Sequence, residues 1–162
     1  DLTSGQITAL TTDGNRKLIN GTFDWAYEEE FACRDGFQWS PDGKRISFWQ
    51  IDANQIRDYL MMNFTDSVYS RVVPVEYPKV GESPSPARIG VIDLVSKQTN
   101  WLPIPGDPQQ HYLPRMEWNN PDLLLVQQLN RKQNHSRLFA VNISKNKTFT
   151  KSSSFHSRIV RQ

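Results

Sequence analysis

The chain has a single cysteine, Cys33, in 162 residues, so no intrachain disulfide can form. The residue reads as a small buried apolar group near an acidic turn. Apolar runs are short, and none approaches the ~18 residues of a membrane-crossing helix. Asp1 opens directly in a strand-like stretch rather than a signal peptide, so the chain is expected to be an internal piece of something longer. Neither sign of charge dominates: 19 basic and 17 acidic residues leave a net +2. The basic residues are scattered rather than striped, which gives no ground for a nucleic-acid partner. Histidine is rare. His111, His135 and His156 lie far apart, and each reads as a surface or loop residue. No G-x-S-x-G elbow is present, so no catalytic residue is assigned. No Cys/His spacing suits zinc and no D-x-D-x-D-G loop suits calcium. There is no G-x-G-x-x-G and no phosphate-binding loop, so neither a metal site nor a cofactor is expected.

What is plentiful is proline, tryptophan and tyrosine, with 10, 5 and 5 copies, which suits short strands joined by many turns. The strand-like stretches repeat. Asp1–Leu10, Asp93–Leu102 and Asn142–Phe149 each read as strand end, polar turn and short strand. Arg88–Ile92 and Arg137–Val141 precede the second and third copies. Earlier still come Trp39 with its Ser-Pro-Asp-Gly turn and Trp118 with its Asn-Asn-Pro-Asp turn. Each turn feeds a strand, Arg45–Ile51 and Leu123–Leu129. The unit is four antiparallel strands, which is a propeller blade, with a sandwich or meander as the alternative. The expected fold is therefore all-β, a partial β-propeller: a hairpin over Asp1–Leu10, one blade over Phe37–Leu102, and a second over Tyr112–Thr150. The blades centre on Trp39 and Trp118. Residues 1–150 form this domain, and 151–162 is a polar, basic tail with no strand pattern.

The first blade carries an insertion, 52–87, rich in apolar residues such as Met61, Met62, Phe64, Tyr69 and Val72. Its Pro74 suits an edge strand. So many apolar residues in one long loop describe either an arm that docks on a partner or one folded against its own blade. Five N-x-S/T triplets, at Asn20, Asn63, Asn134, Asn142 and Asn146, are acceptors only in a eukaryotic secretory pathway.

The loop between the hairpin and the first blade holds Asp24-Trp25-Ala26-Tyr27-Glu28-Glu29-Glu30-Phe31. Asp24 is a good N-cap and no breaker follows through Glu30, so the stretch predicts a short helix. On a helix Glu29 and Glu30 diverge by only ~100°, whereas a strand would send them to opposite faces. Close carboxylates repel, which favours a small cation between them. The bland alternative is a solvated acidic turn, against which the flanking Trp25, Tyr27 and Phe31 argue.

DWAYEEEF resembles the DW-x-YEEE segment of the dipeptidyl peptidase IV family of serine peptidases. Phe37–Lys44 is similar to that family's WWSP-x-GK strand and turn, Tyr77–Gly81 to its YPKAG, and Leu129–Asn134 to its LQWLxRxQN. The resemblance runs in order from about Asp1 to Thr150. It implies a short helix in a β-propeller, facing the substrate cavity, whose last two glutamates, Glu29 and Glu30, hold the free N-terminal ammonium of a peptide. Asp24, Trp25, Tyr27 and Glu28 would support the turn. It further implies a serine exopeptidase releasing N-terminal dipeptides after Pro or Ala, with its triad in a C-terminal α/β-hydrolase domain outside this chain. The arm 52–87 would take part in a homodimer, and the setting would be periplasmic or secreted. This chain alone would then be inactive. A non-catalytic scaffold propeller and a tripeptide-releasing relative remain alternatives.

Overall fold

The computed structural model describes residues 1–151. Its strands fall into two blade sheets and a separate two-stranded arm. The first blade contains β1 (Leu18–Asn20), β2 (Phe37–Trp39), β3 (Arg45–Asp52), β6 (Ala87–Asp93) and β7 (Thr99–Trp101). Strand β3 is central and pairs antiparallel with β6, which pairs in turn with β7. The other edge of β3 is shared. β2 covers Ile46 to Phe48, and β1 covers Gln50 to Asp52. The two short strands thus make one interrupted edge of a four-stranded blade, and the acidic helix sits in the interruption. This refines the expected joining loop, since β1 already belongs to the sheet.

The neck of that interruption is tight. Gly36 donates its N–H to the Gly21 carbonyl at 3.2 Å, and Trp49 donates to the Gly36 carbonyl at 2.9 Å. A Cβ on Gly36 would lie 2.5 Å from the backbone of Gly21 and Thr22, so only glycine fits.

The second blade is a regular meander of β8 (His111–Asn120), β9 (Leu123–Asn130), β10 (Ser136–Asn142) and β11 (Lys147–Lys151), in that spatial order. Along β9, Leu124, Val126 and Gln128 are buried and their neighbours are not, the period-2 pattern of a strand with one face on a core. Side chains from both blades meet in one cluster that includes Trp49, Ile89, Leu113, Leu124, Val126 and Phe139. Each fully buried aliphatic side chain contributes about 1.5–3 kcal/mol. Trp49 crosses between the blades and donates its indole N–H to the Leu113 carbonyl at 2.8 Å.

Three expectations need correction. Asp1–Leu10 forms no paired hairpin, only its turn, in which the Asp1 carboxylate accepts from the Thr3 and Ser4 N–H groups. Trp39 is 56% exposed on the short β2, and Trp118, although buried in the core, lies on β8 at the edge of its sheet, so the blades do not centre on the two tryptophans. His111 is buried rather than at the surface, because β8 starts on it and the Gln128 amide meets its Nδ1 at 3.1 Å. Apart from Lys151 the tail, including His156, lies outside the described residues.

The insertion forms the arm, β4 (Asp58–Asn63) and β5 (Arg71–Glu76), paired only with each other, so Pro74 lies in a strand with a free edge. Tyr59, Leu60, Met61, Met62, Phe64, Val68, Tyr69 and Val72 are all at least half exposed, so the arm does not fold back on its blade. Its root is held by charge. Arg16 pairs with Asp58 and Glu76, and Lys17 pairs with Asp58 at 3.2 Å and donates to the Ile56 carbonyl. The Arg16 hydrogen bond holds the Asp58 carboxyl below its usual range.

Candidate functional site

Helix α1 (Trp25–Phe31) is the one helix among the described residues. Asp24 caps it as expected. One carboxylate oxygen accepts the Tyr27 N–H at 3.1 Å and the other accepts the Ser85 hydroxyl at 2.6 Å. Burial pushes the Asp24 carboxyl above its ordinary range, and these two bonds offset part of that rise. Ala32 ends the helix in the left-handed region at φ 53°, and its N–H reaches the Tyr27 carbonyl. Arg115 of β8 finishes the C-terminus by donating to the Phe31 carbonyl at 2.8 Å, a cation where the helix needs one.

The helix is pinned through its aromatic face. Tyr27 is almost completely buried, and its hydroxyl accepts the Leu113 N–H at 3.1 Å. Its ring stacks on Phe23, and Phe31 packs on Tyr112 with centroids 5.1 Å apart. Burial drives the Tyr27 phenol strongly upward, so it stays neutral. Cys33 is buried as expected, with its thiol donating to the Pro114 carbonyl at 3.4 Å. Burial raises that thiol too. Trp25 faces outward and packs against Tyr77 at the arm root, with the rings tilted at 44° and 4.2 Å between centroids.

The acidic run behaves differently. Glu28 is half-buried in the first turn, while Glu29 and Glu30 are exposed in the last turn. Among the described residues no ion pair engages any of the three. The helix offers them little, because a carboxylate near a C-terminus opposes the backbone dipole. A neighbouring cation with several donors is the species this arrangement favours.

Glu30 also lines a cavity of ≈ 200 Å³ with Trp25, Lys79, Tyr112, Arg131 and Gln133, whereas Glu29 stays outside it. The structure therefore brings Asp24, Trp25, Tyr27 and Glu28–Glu30 onto one helix but shares only Trp25 and Glu30 with that cavity. Arg131 donates to the Tyr112 hydroxyl at 2.5 Å and to the Glu82 carbonyl at 2.9 Å. Burial raises the Tyr112 phenol, and the Arg131 charge works against that rise. Sequence reasoning missed Ser85, Tyr112, Arg115 and the roles of Arg131 and Gln133. The last two fall inside the Leu129–Asn134 stretch, which was the only available signal.

Residues 1–159 match the family described as the dipeptidyl peptidase IV N-terminal region, a match that runs beyond Thr150. An inactive dipeptidyl peptidase 10 from Mus musculus is 31% identical over 80% of this chain and 17% of its own length. A probable dipeptidyl peptidase 4 from Emericella nidulans is 27% identical over 89% of this chain and 20% of its own. The crystal structure of Porphyromonas gingivalis dipeptidyl peptidase 4 superposes with a TM-score of 0.84 at 30% identity, over 92% of this chain and 21% of that one. The chain thus spans about a fifth of the length of these relatives. On fold, sequence and helix alike, it belongs to the dipeptidyl peptidase IV family, as part of the N-terminal propeller region.

Proposed function

We propose that this chain is part of the propeller of a serine exopeptidase that releases N-terminal X-Pro or X-Ala dipeptides, and that Glu29 and Glu30 anchor the substrate's free ammonium. One observation carries the reading. Two neighbouring, exposed carboxylates, with no ion-pair partner among the described residues, stand on a helix whose cap, aromatic face and C-terminus are all fixed. An exopeptidase must measure from a charged chain end. A rigid carboxylate pair offers charge-assisted bonds to an ammonium with three donors, and so sets which peptide bond reaches the nucleophile. The pair is a ruler, and the bond-breaking chemistry belongs to the hydrolase domain of the intact protein. The arm, with its exposed apolar face, is then the surface that meets a second copy.

The test is hydrolysis of Gly-Pro and Ala-Pro chromogenic amides by the full-length protein, with its products on a longer peptide identified by mass. Dipeptide release is expected. Tripeptide release would move the protein to the tripeptide-releasing branch, and no turnover with retained peptide binding would favour a scaffold. That second reading has a specific basis, since the mouse relative is named as inactive.

A further inference from the structure

The turn between β9 and β10 returns beneath the acidic helix. Asn130 organises it, its side-chain carbonyl accepting the N–H groups of Asn134 and His135, both at 3.0 Å. Gln133 donates its own N–H to the Asn130 carbonyl at 2.8 Å and sits in the left-handed region at φ 55°. A turn alone favours Gly or Asn at such a φ. What glutamine adds is reach: its Nε2 lies 3.4 Å from a Glu30 carboxylate oxygen, 103 residues away in sequence. A carboxylate only accepts, so the amide must present its nitrogen there. Arg131, two residues earlier, locks the same turn in place through Tyr112 and the Glu82 carbonyl, and Tyr112 packs on Phe31 of the helix.

We propose that Gln133 is a positioning residue of the amine site. It holds one oxygen of Glu30 and leaves the other, with Glu29, for the ammonium. The inference rests on the amine-anchoring reading above. An exposed glutamate has several free torsions, and a bound cation must freeze them. A donor already in place removes part of that loss, so the effect falls on substrate capture and leaves the chemical step alone.

Four variants of the full-length protein test this: Gln133→Gly, Gln133→Asn, Glu30→Gln, and Gln133→Gly combined with Glu30→Gln. The readouts are KM and kcat on Ala-Pro chromogenic amide, together with thermal unfolding. Gln133→Gly is expected to raise KM about 3- to 10-fold with kcat unchanged. Its melting temperature should hold or rise, since glycine relieves the left-handed backbone. Gln133→Asn keeps that backbone and the amide but loses a methylene of reach, so it should show the same raised KM. In the Glu30→Gln background, Gln133→Gly should add nothing further. If Glu30→Gln raises KM while Gln133→Gly leaves it unchanged, the amine site stands and Gln133 is only a turn residue. If Gln133→Gly lowers the melting temperature and Gln133→Asn restores both stability and KM, the role is structural and the proposal falls. If Glu30→Gln itself has no effect on KM, the amine-anchoring reading fails and takes this inference with it.

Discussion

The acidic helix and the arm both leave the blades, and they do so in opposite ways. Helix α1 is seven residues long, yet it buries Tyr27 and Phe31, and its capping residue Asp24 is buried too. Strands β4 and β5 have six residues each, and none is buried. Their acids differ as sharply. Asp58 and Glu76 at the arm root are both engaged by Arg16, whereas Glu29 and Glu30 have no cation partner among the described residues. Paired carboxylates hold a structure together. Those on the anchored helix keep no cation of their own among the described residues. The comparison separates a part that is anchored in the core from a part that projects from it.

The largest effect should come from removing the anchor. Tyr27→Ala deletes a buried ring and is expected to cost about 3–5 kcal/mol, read by denaturant unfolding of the intact protein. A loss under ~1 kcal/mol would mean that the helix is not held through this residue. Gly36→Ala should rank next, at about 1–3 kcal/mol, because its methyl must displace the Gly21–Thr22 backbone at the neck. Asp24→Ala should cost roughly 1–2 kcal/mol through the lost cap and the stranded Ser85 hydroxyl.

Asp24→Asn sharpens the comparison through pH. The folded carboxyl titrates above its ordinary 3.8, so the folded state holds the proton more tightly than the unfolded one. The stability it contributes is complete below 3.8 and is lost as pH rises through the folded value. Asn keeps the cap without titrating. The wild type should therefore lose stability relative to Asp24→Asn as pH rises from 3.8. A difference that stays flat with pH would contradict the burial argument. The smallest effect on stability should come from the arm tip. Met61→Ser combined with Tyr69→Ser is expected to change unfolding by less than ~0.5 kcal/mol while shifting sedimentation from dimer toward monomer. A protein that stays dimeric after this change would place the interface elsewhere.

What the sequence made legible was local. Asp24 followed by residues with no breaker announces a cap and a short helix. The repeated strand–turn–strand pattern announces blades, because alternation and turn chemistry act over a few residues. Strand β1 escaped notice because its three residues are all half-buried and carry no alternation. Trp39 and Trp118 look alike in sequence, and only the sheet's position decides that one is covered. The contacts that make the site are remote. Ser85 lies 61 residues from Asp24, Leu113 lies 86 from Tyr27, and Gln133 lies 103 from Glu30. No local rule connects such pairs. The cavity that Glu30 shares with Arg131 became visible only once both blades were in place.

The claim that the unpaired carboxylates read a chain end is tested most directly by the amine itself. The measurement is the affinity of the full-length protein for one Ala-Pro-containing peptide, with its N-terminus free and then acetylated, in the wild type and in Glu30→Gln. Losing a charged hydrogen bond costs about 1.5–3 kcal/mol, so acetylation should weaken the wild type roughly 10- to 100-fold. In Glu30→Gln the gap between the two peptides should shrink by a comparable factor. Equal affinity of the wild type for free and acetylated peptides would contradict the account.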